Sequence, residues 1–562
     1  MDDQDTQHID TDVLIIGAGP IGLTTACALA HHGVRFRIIE KAHGISGASK
    51  GHNVIARAQE LLGSIGVLDP ISDKSYRAPF TQFFLDQVPF ARLDARGSDS
   101  PYEGVLFSNQ GVIEQVLTDI LAGRGIAVEY GREATAIKQS DDGVSVEVAP
   151  VDEDGIRVGG HVFYNCRYLV GCDGAPGTAR KAAGLDYEVK EFEGRALRQM
   201  DGTLHWRRST EPHTARFFLF PHGFAGVLPV WEGGHRLFVL EQSEKMPDRK
   251  PTREEMVTRA REVTGDQSFD LTDPTWSSYG TFSHGVAPAY AKGRIFLAGD
   301  AGHRTLPIGG QGMNAGFLDA VSIAWRLAMT LSGAAGPLIL ESYGPERHGA
   351  HEALGKQQVR GFEQLMHRNK LADGLIGTIA GLVPSIGSYV FGGSDLEQLT
   401  VGYPDSFISE DHFSAFNPKR AGALRAGDRA PYAELTDSAG HDVSLFDMFY
   451  GNRLSWGWRL LLLDGGDQAS HPLLWEAAGT ASGVDWISPT IVVADPDACG
   501  HHGAETVFDL DGLVHEAFGL AGQSAVVLVR PDGHIAFRCP AKSYTLLAAY
   551  LAKISGNPTV AQ

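Results

Sequence analysis

Apolar and polar positions fall into three successive textures along this chain. In the first, Asp12-Val-Leu-Ile-Ile16 reads as a strand buried on both faces and Thr24 to His32 as the helix that follows it. Gly33 is placed to cap that helix, and Arg35-Phe-Arg-Ile-Ile39 reads as a second strand. Strand and helix patterns keep alternating to about residue 185, which predicts a parallel sheet wound with helices. The second texture runs from about 186 to 284. Arg216-Phe-Phe-Leu-Phe220, Gly226-Val-Leu-Pro-Val-Trp231 and Arg236-Leu-Phe-Val-Leu240 are short strands parted by His-Gly and Gly-Gly turns, predicting an inserted antiparallel sheet. The chain then returns to the first unit, with a strand at Arg294 to Ala298, a helix from about Met313 to Leu331, and helical spacing from Glu341 to about Val390.

The third texture follows a stretch rich in Pro, Gly, Ser and charge. From Gly427 onward, the apolar runs Trp458 to Leu463, Thr490 to Val493 and Ala525 to Val529, a Pro531-Asp-Gly533 turn and a helix after Ser543 predict a small α/β unit. The expected fold class is α/β: residues 1–185 and 285–395 form two parts of one Rossmann-like unit, with a helical extension on the second. Residues 186–284 form an inserted antiparallel substrate domain, 396–426 a linker and 427–562 the closing unit.

At 562 residues the chain exceeds a single core on the usual scale of roughly 150 residues per domain. A formal charge of -20 repels phosphate backbones and anionic lipid, so neither nucleic acid nor a membrane is expected as a stable partner. Cys27, Cys166, Cys172, Cys499 and Cys539 show no C-x-x-C spacing, which argues against disulfide scaffolding and zinc and fits a reducing cytoplasm. Met1-Asp-Asp-Gln-Asp-Thr6 lacks the basic and apolar regions of a signal peptide. The most membrane-like stretch, Leu375 to Phe391, is broken by glycines and a proline and is too short to span a bilayer. It reads as a buried helix pair or a subunit contact, which leaves a homodimer open.

Two glycine-rich turns carry the chemistry. Gly17-Ala-Gly-Pro-Ile-Gly22 lies between the first strand and helix. Glu40 ends the second strand about 20 residues on, where a carboxylate can accept from ribose hydroxyls. The second turn follows Arg294 to Ala298: Gly299-Asp300 at a strand tip, then Pro307-Ile-Gly-Gly-Gln-Gly-Met-Asn-Ala-Gly316 leading into a helix. The first unit alone would suit NAD. Asp300, poised to bond a ribityl hydroxyl, and the close backbone approach allowed by Gly309, Gly310 and Gly312 point to FAD, with the next helix aiming its positive end at the flavin.

With these residues in place, the chain resembles the class A FAD-dependent aromatic monooxygenases, in the branch of phenol hydroxylase and aromatic polyketide hydroxylases. The likeness rests on Gly17-x-Gly19-x-x-Gly22, on Cys172-Asp173-Gly174 with Arg180, and on Gly299-Asp-Ala-Gly-His303 through Pro307, Gly309, Gly310, Gly312, Met313, Asn314 and Asp319. It implies that the first and third motifs bind FAD and that Asp173 and Gly174 serve both FAD and the nicotinamide cofactor. By position, Lys50 matches the family's basic residue near the flavin phosphates. Arg57 matches a family arginine, although here it continues Ala58-Gln59-Glu60, and Gln110 resembles a glutamine that contacts FAD.

The implied reaction uses NAD(P)H and O2 to hydroxylate a phenolic or polycyclic aromatic substrate through a flavin C4a-hydroperoxide, with Pro307 and the adjoining glycines as a non-polar wall beside the flavin. His52 falls where phenol hydroxylase has an aspartate facing the substrate and is the candidate base; a structural histidine is the alternative reading. Tyr279 and His284 are candidates for the substrate pocket. The C-terminal unit resembles the thioredoxin-like domain of phenol hydroxylase relatives but has no redox pair: Cys499 is followed by Gly-His-His and Cys539 by Pro-Ala-Lys. Two further readings stay open: an antibiotic- or polyketide-modifying monooxygenase, including Baeyer-Villiger-type insertion, and a non-catalytic flavin-binding redox sensor.

Overall fold

The computed structural model describes the chain apart from residues 1–6, 46, 48–50, 95–98, 193, 209–213, 222, 232, 243–248, 281, 307–309, 367–396, 414–423, 451–456, 495–504 and 558–562. Lys50, Pro307, Gly309, Cys499 and the stretch 375–391 therefore lie outside the described residues.

The strand His8–Ile16 runs parallel to Phe36–Ile39 on one side and to Val162–Gly171 on the other, and Ile295–Leu297 continues the sheet parallel to Val162–Gly171. Positions 13–16 are apolar without alternation because helices cover this parallel sheet. Pro20–His31, Gln110–Gly123 and Gln311–Ser332 pack one core through Leu23, Leu29, Leu117, Leu121, Phe317 and Val321. Gln311–Ser332 is buried along almost its whole length, so that even its polar side chains Asn314, Asp319 and Arg326 lie in the interior.

The second sheet runs in the order Asp270–Gly280, Arg195–His205, Gly234–Gln242, Gly223–Trp231, Thr214–Phe220, Phe80–Leu85, Val88–Asp94. Its last two strands come from inside residues 1–185, so the boundary drawn at 185 is corrected: the inserted sheet also recruits a hairpin from the first unit. Aromatic pairing accounts for the joint. Phe80–Leu85 runs parallel to Thr214–Phe220, stacking Phe83 on Phe217 at 5.5 Å and Phe84 on Phe218 at 4.6 Å.

In the closing unit, Trp458–Leu463, Ile487–Val493 and Glu505–Phe508 are parallel, and the hairpin of Ala525–Val529 and Ile535–Pro540 lies antiparallel beside them. The expected linker is corrected in part, since Glu410–Asp411 adds a strand against Ile535–Pro540. The core of this unit is continuous with that of the Rossmann-like unit: Trp325, Met329 and Ile339 pack with Trp458, Leu460 and Leu551, and the rings of Trp325 and Trp458 meet edge to face at 5.8 Å. A buried ionic seam runs along the same joint. Arg530 binds Glu346 at 2.9 Å and Asp532 at 2.7 Å, Arg326 binds Glu346 at 2.5 Å, and Arg429 reaches Glu60 at 2.6 Å. Breaking a buried pair of this kind by removing one partner costs on the order of 3–5 kcal/mol, because the other charge stays behind.

Candidate functional site

At the first glycine-rich turn, Gly17 has φ +101, and a Cβ there would overlap the Cys172 carbonyl; a Cβ at Gly22 would overlap the Gly17 carbonyl. The turn is thus compressed between the first helix and Cys172-Asp173. Gly19, which caps Pro20–His31, has no atom of the described residues within 4 Å of where its Cβ would stand, which leaves its backbone approachable at a helix N-terminus. Glu40 holds the rim: its two carboxylate oxygens accept from the backbone amides of Ala18 at 2.7 Å and Ala42 at 2.8 Å.

Asp173 and Arg180 tie this turn to the second one. Asp173 accepts from Ala179 N at 3.0 Å through one oxygen, while its other oxygen is buried without a partner among the described groups. Burial pushes its carboxyl up, against the backbone hydrogen bonds and Arg180 that pull it down. Gly174, at φ +66, turns the chain away after it. Arg180 donates to the Ala301 carbonyl at 2.8 Å, within the single turn Gly299–Ala301 that carries the exposed Asp300. Gly299 donates to Asp319 at 2.9 Å. A Cβ at Gly299 would stand 2.9 Å from Ile21, and one at Gly316 2.6 Å from the same side chain, so the helices after the two turns meet across Ile21.

The second turn also meets the short strand Asn53–Val54. Asn314 accepts from Ile55 N at 3.0 Å and donates to Asn53 O at 3.0 Å and Gly310 O at 2.8 Å. Gly310, at φ +63, caps Gln311–Ser332, and a Cβ there would overlap the Asn53 amide. A Cβ at Gly312 would stand 2.5 Å from Thr305 Oγ1, and Met313 Sδ comes against Gly51. Gln110, the first residue of its helix, accepts from Gly51 N at 3.1 Å and donates to Glu114 at 2.8 Å. Gly17, Gly19, Gly22, Glu40, Asp173, Gly174, Asp300, Gly310, Gly312, Met313 and Asn314 are therefore joined through one connected framework, with Gln110 at its edge. Two glycine-opened helix N-termini, an acidic rim and an unpartnered buried carboxylate oxygen fit an elongated, pyrophosphate-bearing flavin.

Beneath the Gly299 turn, Asp319 is held by Arg347 at 2.6 Å and His351 at 2.9 Å, with His303 stacked on His351 at 3.8 Å and bonded to Tyr290 at 3.0 Å. His303, Asp319 and His351 have the proximity of a metal set. The Arg347 guanidinium already supplies positive charge there, and against burial, which pushes the Asp319 carboxyl up, His351 and Arg347 hold it well below its ordinary range. The cluster acts as a staple for the turn.

Three expectations need revision. Arg57 is fully buried. It binds Glu60 at 2.8 Å, the Asp532 carbonyl at 2.5 Å and His534 at 3.5 Å, so its charge serves the seam with the closing unit and not the cofactor contact expected of the family arginine. Tyr279 pairs with Arg198 on the edge strand, three positions after Trp276, and strand alternation turns it to the face opposite Trp276. His284 packs on Gly355 and lines a surface depression with Lys190, Glu352 and Lys356.

His52 lies at the entry to Asn53–Val54, its ring stacked on Phe107 at 6.2 Å and 15° and its carbonyl accepting from Ser108 N at 2.9 Å. Its Nδ1 is 3.1 Å from Nη1 of Arg236 on the inserted sheet. Sequence reasoning missed Arg236, together with Asp201 and Trp276. Asp201 stands directly across from both in the strand registers, and Arg236 lies over the Trp276 ring at 4.8 Å. The available signal was an arginine directly before the apolar run Leu237 to Leu240; Asp201 sits in a strand of mixed polarity that gave none.

Residues 10–358 match the family described as FAD binding domain, and residues 424–558 match the aromatic-ring hydroxylase C-terminal family. A 12-dehydrotetracycline 5-monooxygenase/anhydrotetracycline 6-monooxygenase from Streptomyces rimosus is 30% identical over 93% of this chain and 94% of its own. The pentachlorophenol 4-monooxygenase of Sphingobium chlorophenolicum is 29% identical over 80% of this chain and 79% of its own. The solved structure of OxyS, anhydrotetracycline hydroxylase from Streptomyces rimosus, has a TM-score of 0.70 at 28% identity, covering 98% of this chain and 100% of that one.

Proposed function

The chain belongs to the family of FAD-dependent aromatic-ring monooxygenases, and from that premise we propose that it hydroxylates a phenolic, polycyclic aromatic substrate at the expense of NAD(P)H and O2. The sensor reading is set aside, since the family is one of monooxygenases. The observation that carries the substrate class is the junction of His52 with Arg236. One polar grip stands between the Asn53–Gly310 side of the flavin seat and the inserted sheet, flanked by the rings of Phe107 and Trp276. Aromatic walls with one localised polar contact suit a flat ring system bearing one oxygen to be oriented.

When bound, FAD would supply the redox chemistry that couples NAD(P)H and O2 to the substrate. The protein's part is binding, orientation and exclusion of water. The two glycine turns and Glu40 grip the dinucleotide. The N-terminus of Gln311–Ser332, opened by Gly310, offers backbone amides to negative charge on the flavin. Phe107 and Trp276 keep the ring face dry. The full-length similarity to a tetracycline-type monooxygenase favours a polyketide-like ring system over a simple phenol. We place the reaction in the cytoplasm, where NAD(P)H is supplied and the buried thiols of Cys27, Cys166, Cys172 and Cys539 stay reduced. Among the described residues, no helix is long and apolar enough to cross a membrane.

The test is NAD(P)H oxidation by the yellow, FAD-loaded protein against a panel of phenols and polycyclic phenols under 18O2. The expected result is stimulated oxidation and a product carrying one 18O. Oxidation that yields only hydrogen peroxide with every member would overturn the reading. Hydroxylation and ring insertion add the same mass, so NMR of the product separates them.

A further inference from the structure

The contact between His52 and Arg236 fixes more than a position. A guanidinium has donors and no acceptor, so at 3.1 Å from Nη1 the Nδ1 of His52 must be the acceptor. An imidazole that accepts at Nδ1 is neutral and carries its proton on Nε2. Arg236 is not free to turn away. Its Nε and Nη2 donate to the two oxygens of Asp201 at 2.6 and 2.7 Å, both side chains are fully buried, and Trp276 lies under the guanidinium at 4.8 Å. The ring of His52 is held as well, by Phe107 on its face and by the hydrogen bond from Ser108 N to its own carbonyl.

We infer that Arg236, clamped by Asp201, is a positioning residue that locks His52 as the Nε2–H tautomer, so that His52 serves the substrate as a hydrogen-bond donor and not as a base. The ligand chemistry that such a donor recognises is an electron-rich oxygen: a phenolate, or the carbonyl of a ring ketone. A hydrogen bond donated there favours the charge-bearing form of that oxygen and orients the ring, while an Nε2 that already carries the proton holds no lone pair to take another. This inference rests on the reading of the site as an aromatic hydroxylase pocket, and it replaces the role of base expected for His52.

Two measurements decide it. The first needs no substrate. In FAD-loaded protein with 15N-labelled histidine, the His52 signals, identified by their loss in His52→Gln, are expected to show the Nε2–H pattern at neutral pH. They should move to a mixture of tautomers in the double variant Asp201→Leu/Arg236→Met, which removes both buried charges together, with its folding checked by flavin content and circular dichroism. An imidazolium or Nδ1–H pattern in the wild-type protein would overturn the inference, as would an unchanged pattern in the double variant.

The second measurement uses whichever phenol of the panel stimulates NAD(P)H oxidation. In His52→Gln, the amide oxygen can accept from Arg236 and the amide N–H can donate, so hydroxylation is expected within about 5-fold of wild type. His52→Asp, which offers acceptors alone, is expected to lose about 100-fold. The reverse ranking restores the base and overturns the inference. Should no phenol be hydroxylated, the functional reading fails, while the tautomer measurement still decides this one.

Discussion

Asp201 and Arg236 face each other across neighbouring strands, both fully buried, with the fork of the guanidinium on the two oxygens of the carboxylate at 2.6 and 2.7 Å. A bidentate pair that no water reaches is held by its partner's presence: each charge is tolerable only while the other is there.

Removing one member should therefore cost more than removing both. Asp201→Leu and Arg236→Met are each expected to lower stability by roughly 3–5 kcal/mol, while the double variant recovers most of that loss because no orphan charge remains. Urea unfolding of the four proteins checks this. Additive single losses in the double variant would mean that the pair is not coupled as the geometry requires.

Gly310 combines a left-handed backbone, φ +63, with a position where a Cβ would overlap the Asn53 amide. Gly310→Ala should strain the turn by about 1–2 kcal/mol and push Asn53–Val54 away from Asn314. Flavin fluorescence titration is expected to show FAD bound at least about 10-fold more weakly, with the far-UV spectrum unchanged.

The seam to the closing unit predicts long-range damage from a remote change. In Arg530→Met, Glu346 and Asp532 lose one of the two arginines they share, the nearer one for Asp532, so Arg326 alone is left against two carboxylates. Stability should fall by about 3–5 kcal/mol, although Arg530 lies far along the chain from both glycine turns. Differential scanning calorimetry should show one cooperative transition moving down. A second transition appearing at unchanged temperature for the flavin-type unit would contradict the coupling.

Acid should destabilise the protein before the carboxylates titrate. Burial pushes His235 and His534 down from the ordinary 6.5 to about 4, against Asp532 in the second case. The unfolded chain then binds protons that the folded chain refuses. Stability is full above about pH 6.5 and is lost as pH falls towards 4, at roughly 1.4 kcal/mol per pH unit for each histidine. Denaturation midpoints at several values between pH 7.5 and 4.5 test the window, and His235→Phe is expected to flatten the slope by one histidine's share.

Much of the flavin seat was legible because it is built from local pattern. An apolar run, a glycine turn and a helix start are close in sequence, so Asp12 to Ile16 predicts the inner half of His8–Ile16, and Gly299-Asp300 falls at its turn as expected. The substrate side was not legible, because it depends on register. Asp201 and Arg236 are 35 residues apart and become partners only once two strands align. Tyr279 was singled out and Trp276, three positions before it, was not, although alternation puts the two on opposite faces. Arg57 has the chemistry of a phosphate ligand, but its partners Asp532 and His534 are 475 and 477 residues away, and no local pattern carries such a contact. The hairpin Phe80–Leu85 and Val88–Asp94 was not singled out in the sequence, and its membership of the inserted sheet follows from the Phe83 and Phe84 stacks.

The polar stretch near residue 400 looks like a natural place to cut the gene, and the seam beneath it says otherwise. Glu60, Arg326 and Glu346 in the amino-terminal part have charge partners supplied from beyond that point, in Arg429, Asp532 and Arg530, and Arg57 donates to the Asp532 carbonyl. A chimera that imports a homologous tail without those partners would leave ions stranded in its interior. Recombination between relatives of this enzyme should succeed when the two halves of the ionic set are inherited together, and crossovers at residue 400 alone should be purged.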